Sequence, residues 1–339
     1  MCGIVGYVGF ADASEFVLEG LRRLEYRGYD SSGIATIEDD GEISVDKAAG
    51  RVEELGSLLK RHEHKGCIGI GHTRWATHGP PTDTNAHPHI GGDSVVALVH
   101  NGVIENFRAI KELLIEKGCE FHSATDTEVV AQLLAFELEN VSGTVLESDD
   151  PYAPLIAAVQ KSLSRLRGTY GLAMLFRDWP GVMVAARLGS PLVIGVGEGE
   201  NFVASDGSPL AGRTNKIVYL ADHEIALITS DTIRVIHRDS GDVEHDVQAL
   251  DIDASEVELN GFPHYMLKEI YEQPETIRNA MRGRLDKDAA TAVFGGLNLT
   301  ANQLQSVRRF VLTACGTSWH AALVGEYMIE ALARIPVEV

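Results

Sequence analysis

The chain opens Met1-Cys2-Gly3-Ile4-Val5-Gly6, and residue 2 is the first place where chemistry could happen. Removal of Met1, which the small side chain of Cys2 permits, would leave a thiol and a free α-amino group on one residue. That residue heads the apolar run Ile4-Val5-Gly6-Tyr7-Val8. An unperturbed α-amine has a pKa of about 8 and a thiol about 8.5. Near neutral pH the amine can therefore take the thiol proton, directly or through one water, and neither group needs a large shift. The same six residues also suit an N-terminal strand in which Cys2 is only a small buried hydrophobe.

Three further stretches carry reactive types. His72-Thr73-Arg74-Trp75-Ala76-Thr77-His78-Gly79-Pro80-Pro81, followed by Asn85-Ala86-His87-Pro88-His89, is a polar and aromatic loop closed by prolines, the composition of a functional loop. Its histidines do not read as a metal site. The spacing matches no zincin helix, Pro88 prevents His87 and His89 from sharing a helical face, and carboxylates are scarce nearby. His100-Asn101-Gly102 admits two readings: an Asn-Gly hairpin turn, or an oxyanion hole made by the Asn101 amide and the Gly102 N–H. Ser123-Ala124-Thr125-Asp126-Thr127-Glu128 has the form of a helix N-terminus, where Asp126 could serve only as a cap.

The elements that must position these residues follow from periodicity. Helices are expected over Ala13–Leu24, Phe107–Lys117, Thr127–Leu138 and Pro154–Leu166. Strands are expected at the N-terminal run, Ile34–Ile37, Cys67–Gly71, Ser94–Val99, Gly171–Phe176, Val182–Arg187, Pro191–Val196, Lys216–Leu220, Glu224–Ile228 and Ile233–His237. Glycines in Cys67–Gly71 suggest close approach of another backbone or a ligand. Gly195, Gly197 and Gly199 precede a strand rather than a helix, so they read as a hairpin and not as a dinucleotide loop. Together these elements make a layered α/β/β/α domain over residues 2–238. An acidic connector at 239–262 and a second region over 263–339 complete the chain. In the second region Phe310–Ala314 runs through Cys315-Gly316-Thr317-Ser318 into a helix with Val324, Met328 and Ala331 on one face. Such a turn can cradle phosphate on the helix amides, and it also serves as plain strand-to-helix wiring. One β-α unit with half a second strand cannot cover both faces of a parallel sheet, so the polypeptide is expected to be incomplete in this region.

A length of 339 residues suffices for two domains, and 45% hydrophobic with 23% charged residues is ordinary globular composition. The formal charge of −20 argues against general binding to nucleic acid or to an anionic membrane. Cys2, Cys67, Cys119 and Cys315 show neither disulfide nor zinc spacing, and reduced cytosolic thiols fit them best. The N-terminus lacks a signal-peptide pattern, and no apolar run reaches the ~20 residues needed to span a bilayer, so a soluble cytoplasmic protein is expected.

Taken in order, Met1–Gly6, Leu24-Glu25-Tyr26-Arg27-Gly28-Tyr29-Asp30-Ser31, His72–Gly79, His100-Asn101-Gly102-Val103-Ile104-Glu105-Asn106 and Thr125–Glu128 resemble the class II glutamine amidotransferases. Tyr265–Pro274 and Ala314–Ser318 narrow the resemblance to members that carry a sugar isomerase domain. The resemblance implies an α+β chain: a four-layer N-terminal-nucleophile glutaminase domain followed by the start of an α/β sugar isomerase domain. It implies glutamine and fructose 6-phosphate as substrates, glucosamine 6-phosphate as product, no cofactor, and a homodimer for full-length members. Carried over, Cys2 attacks the glutamine side-chain amide and its α-amine shuttles the proton. Asn101 and Gly102 hold the oxyanion, Arg74 the α-carboxylate and Asp126 the α-ammonium. Trp75 lies in a mobile loop over the glutamine, and Thr77, His78 and His87 belong to the surrounding pocket. Cys315, Gly316, Thr317 and Ser318 form one wall of the sugar-phosphate site. Isomerisation residues of the family would fall beyond Val339, so this chain is expected to hydrolyse glutamine without making the amino sugar. The alternatives are another class II amidotransferase, of the phosphoribosyl or asparagine-forming kind, and a non-catalytic glutamine or sugar-phosphate sensor.

Overall fold

A computed structural model describes residues 2–76, 78–141, 145, 148–250, 261–281, 285–286, 291–292 and 300–339. The chain divides into two compact units, Met1–Asn260 and Gly261–Val339.

The first unit is built on two antiparallel sheets. Strand β1 (Gly3–Val8) lies inside the first sheet, between β4 (Ile68–Arg74) and β10 (Asn201–Ala204). That sheet continues through β2 (Ser31–Ile37) and β3 (Ile43–Ala49) on one side. On the other lie β9 (Val193–Val196), β11 (Lys216–Tyr219) and β15 (Gln248–Ala249). The second sheet runs β5 (His89–Gly91), β6 (Val96–Ile104), β7 (Gly168–Phe176), β8 (Met183–Leu188), β12 (Glu224–Ile228), β13 (Ile233–His237) and β14 (Gly241–Val243).

Alternation along the strands sorts the side chains into three apolar layers. Ile4 and Val8 of β1, Ile68 and Ile70 of β4, and Ala97 and Val99 of β6 meet between the sheets. Val5 and Tyr7 face outward and pack with Phe16, Val17, Leu21 and Leu24 of helix α1 (Ala13–Leu24), with Val52 and Leu55 of α2 (Val52–Leu59) in the same layer. On the far side, Val96 and Leu98 of β6 pack with α4 (Asp126–Glu139) and α5 (Ala153–Arg165), and α3 (Phe107–Glu116) joins them. The order is helix, sheet, sheet, helix, as the periodicity anticipates.

The glycines of β4 admit a helix rather than a ligand. A Cβ on Gly71 would lie 2.3 Å from Val17 Cγ1, and one on Gly69 would meet Ala13 Cβ at 3.0 Å, so α1 is seated directly on this strand. The glycines at 195 to 199 form a hairpin between β9 and β10, in register Val196 with Asn201.

Three expectations need correction. Asn101-Gly102 is no hairpin turn: β6 continues to Ile104, paired with β7 through Asn101 to Gly171 and Gly102 to Tyr170. The stretch 239–262 is not wholly a connector, because β14 pairs with β13 and β15 with β11 inside the first unit, while residues 251–260 lie outside the described residues. Strands Ser31–Ile37, Ile68–Arg74 and Gly168–Phe176 also run several residues further than their apolar cores, through serine, threonine, glycine and charged positions. Neighbouring strands satisfy those backbones whatever the side chain.

In the second unit a helix spans Tyr265–Met281, and Phe310–Val311 pairs in parallel with Val337–Glu338 across the helix Thr317–Ala333. Val324 and Met328 of that helix are exposed. Among the described residues no helix is long and apolar enough to cross a membrane.

Gly71→Ala should force α1 off the first sheet and destabilise the unit by about 1–3 kcal/mol, the usual cost of overpacking. The urea midpoint should fall with the slope unchanged, and an unaltered midpoint would show that α1 is not clamped there.

Candidate active site

The pairing of β1 with β4 runs Gly3 to Thr73, so the same register carried one step further sets Cys2 beside Arg74. Ser205 fixes the entry to the strand: its Oγ accepts from Ile4 N at 3.0 Å and its N–H donates to Ile4 O at 3.0 Å. At this end of the strands the two sheets enclose a cavity of about 270 Å³. Cys2, Arg74, Trp75, His87, Asn101, Gly102 and Asp126 all line it. Residues from four separate stretches of sequence are thereby brought together.

The Cys2 sulfur receives the Trp75 backbone N–H at 3.2 Å. Burial pushes the thiol up from its ordinary value, against the opposing pull of that N–H and of the Arg74 and Arg27 charges. The buried sulfur is thereby a weaker acid than a free thiol. Asn101 extends its Nδ2 to Cys2 O at 3.3 Å, which puts a carboxamide donor beside the nucleophile. Gly102 has φ +136°, and a Cβ there would lie 2.1 Å from Thr169 O, so only glycine fits.

At one side of the cavity, Arg74 is buried. It donates from Nη1 to Pro80 O at 3.3 Å and from Nη2 to His78 O and to Gly79 O at 3.4 Å. These bonds tie the polar loop to β4. Asp126 is the first residue of α4 and not its cap: Thr125 Oγ1 caps the helix by accepting Glu128 N. Glu128 in turn accepts from His122 N and Ser123 N, each at 2.7 Å. The Asp126 carboxylate sits at the positive end of the helix, accepts from Ile104 N at 2.9 Å, and approaches His78 Nδ1 at 3.8 Å. A fixed cation and a fixed anion thus flank a thiol and a carboxamide donor. Such a cavity can hold a zwitterion and attack its far end.

The Trp75 indole is half exposed and meets Tyr29 edge-on at 5.7 Å between ring centres. His78 stands beside Asp126 and packs its ring on Phe107. Thr77 lies outside the described residues. Cys315, Thr317 and Ser318 are exposed in the second unit, and Gly316 takes φ +62° at the start of the helix Thr317–Ala333.

Arg27, Val103, Thr125, Thr127, Ser190 and Pro191 also line the cavity, as does His100, whose place in the Asn-Gly motif drew no assignment. Arg27 stands in the Tyr26-Arg27-Gly28 turn, where a charge before a glycine was the available signal; Ser190 and Pro191 carried none. The histidines form a buried cluster. His72 and His87 stack at 4.1 Å, and His87 Nδ1 accepts from His100 N at 3.4 Å. His89 contacts Thr125 Oγ1 at 3.0 Å, and His100 lies between Thr127 Oγ1 and Thr169 O. Burial holds His72 down at about 3 and His87 and His89 well below the ordinary imidazole value, so all three are neutral near pH 7. Already engaged in bonds to protein groups, they are poor candidates for the base.

Comparison with known proteins agrees with this geometry. Residues 32–141 match the glutamine amidotransferase domain. The structure is similar to that of glutamine phosphoribosylpyrophosphate amidotransferase from B. subtilis, with a TM-score of 0.56 at 26% identity over 70% of this chain and 49% of that one. A structure described as the allosteric regulatory enzyme of purine biosynthesis gives 0.57, also at 26% identity and with the same coverage of both chains. Residues 32–141 thus belong to the glutamine amidotransferase domain family, and the first unit has the N-terminal-nucleophile type of fold. Over its whole length the chain is 44% identical to the glutamine–fructose-6-phosphate aminotransferase (isomerizing) of Bacteroides thetaiotaomicron and 45% identical to that of Caldanaerobacter subterraneus. It covers 54% and 53% of those proteins, so the chain spans about half the length of the curated relatives it matches.

The neutral histidines set an acid limit on stability. His72 titrates near 3 when folded and at about 6.5 when unfolded. Between those values the unfolded chain binds the extra proton, and stability falls as pH drops through the window, by up to about 1.4 kcal/mol per pH unit for each such histidine. Urea unfolding of the chain between pH 7 and pH 5 should show a falling midpoint, and His72→Gln should flatten the slope. A midpoint independent of pH over that range would contradict burial of the neutral imidazoles.

Proposed function

We propose that the first unit hydrolyses glutamine at its side-chain amide, with Cys2 as nucleophile after Met1 has been removed. The observation that carries this reading is the meeting of the Cys2 thiol, the Asn101 carboxamide, Arg74 and Asp126 around one cavity. Arg74 takes the substrate α-carboxylate, for which a planar guanidinium is the fitting partner. Asp126 takes the α-ammonium. The amide carbon is then presented to Cys2, and its oxygen faces the Asn101 Nδ2 and the Gly102 N–H as charge develops. The sulfur forms a bond to that carbon and its proton passes to the α-amine of Cys2. The amine hands the proton to the departing nitrogen, and ammonia leaves. Water attacks the thioester, the sulfur is expelled as its bond breaks, and glutamate is released. Trp75 covers the bound glutamine, His87 lines the pocket, and His78 stands beside Asp126.

We further propose that the ammonia is used as in the relatives named above, on fructose 6-phosphate to give glucosamine 6-phosphate, in a cytoplasmic protein that forms a homodimer at full length. Residues 263–339 act as the start of the sugar isomerase part. The turn Cys315-Gly316-Thr317-Ser318 receives the phosphate, a role its position at a helix start suits.

Intact-mass analysis after incubation with an electrophilic glutamine analogue should show a chain lacking Met1 with one adduct on Cys2. Cys2→Ala should abolish ammonia release. Arg74→Lys and Asp126→Asn should each raise KM for glutamine at least about tenfold, the scale of one lost charge-assisted bond. Full turnover by a chain that retains Met1 would overturn the mechanism, and stoichiometric glutamine binding without glutamate formation would favour a sensor.

A further inference from the structure

Asn101 can present its NH₂ to Cys2 only if its carboxamide is held one way round, since the two ends of the group are nearly the same size. Two backbone carbonyls decide the matter. His72 Nε2 lies 3.1 Å from His100 O and 3.1 Å from Asn101 Oδ1. A carbonyl oxygen cannot donate, so Nε2 must carry the hydrogen, and an Nε2–H in turn requires an acceptor from Asn101. At the other end the Asn101 group stands 3.3 Å from Cys2 O, which again can only accept. The imidazole itself has no freedom: it is fully buried and stacked on His87 at 4.1 Å, and His72 Nδ1 meets no hydrogen-bond partner among the described residues.

We propose that His72 is a positioning residue of the glutaminase site, whose Nε2–H fixes the orientation of the Asn101 carboxamide and so aims its NH₂ at the oxyanion. The assignment rests on the glutaminase reading above. His72 touches neither the thiol nor the cavity; it acts through Asn101. Alternation along β4 places it there, since Ile68, Ile70 and His72 share the face turned toward the second sheet.

Substitution separates this role from mere packing. Glutamine can set an amide N–H where Nε2 stands, whereas asparagine sets one where Nδ1 stands, and leucine fills the space without a donor. His72→Leu and His72→Asn should lower kcat for glutamine hydrolysis by about 10–100-fold with KM within about threefold, and His72→Gln should recover most of the loss. Asn101→Ala should cost about 10²–10³ in kcat, and adding His72→Leu to it should cost less than about threefold more. An equal loss in both backgrounds, or equal activity of the asparagine and glutamine variants, would overturn the proposal. So would a change confined to KM. The side-chain NH₂ protons of Asn101, followed by NMR in the full chain, give a readout independent of turnover. They should be slow to exchange in the parent and in His72→Gln, and fast in His72→Asn. If the parent chain fails to turn over glutamine, the glutaminase reading fails, while these protons still report whether His72 holds the amide; fast exchange in the parent would overturn the positioning role by itself.

Discussion

Everything in the first unit depends on β1 being an interior strand. With β4 on one side and β10 on the other, Gly3 to Val8 is hydrogen-bonded along both edges and covered on both faces. A chain terminus ordinarily frays, and a nucleophile on a frayed end would lose the advantage of orientation that makes attack fast. Sheet pairing supplies that orientation here through backbone bonds. The six buried residues after Cys2 need no polar side chain of their own, and the Ser205 clamp on Ile4 finishes the job.

The second constraint is the distance between the sheets at their polar end. Small residues such as Ala97 and Ala173 line the inter-sheet layer, and further along the same faces His72 and Asn101 take the place of apolar groups, with His87 stacked on His72. A buried imidazole is tolerable when neutral and bonded, and burial enforces neutrality. The cluster is therefore a neutral polar floor under the cavity, with the charges carried by Arg27, Arg74 and Asp126 around it. That division separates scaffolding from binding: neutral groups position, and charged groups recognise.

Much of the helical and β-rich content was legible because it follows from local alternation. Ala13–Leu24 was readable to the residue, and strands Glu224–Ile228 and Ile233–His237 likewise. Strands β3 and β5 and helix α2 left too short or too mixed a pattern. Asn101-Gly102 shows the deeper limit. Two residues that favour a tight turn stand in mid-strand because nine residues of β7 pair along β6, a long-range fact that no window of sequence contains. The site was legible for the residues in distinctive motifs. Ser190 and Pro191 reach the cavity only because β8 and β9 belong to different sheets and the link between them crosses its mouth. His72 was hidden for the same reason, since its partner lies across the gap between the sheets.

Gly102 carries this reasoning to its last step. Its φ of +136° departs from that of a regular strand, and the carbonyl of Thr169 occupies the space a side chain would need. The register with β7 is unbroken through this point, so Asn101 stays in the row of Ala97 and Val99 and reaches across the inter-sheet layer to Cys2. Glycine at 102 lets the backbone take that φ while pairing with β7 runs on through it. The Asn-Gly pair that resembles a hairpin in isolation thus uses the same property, access to positive φ, inside a continuous strand.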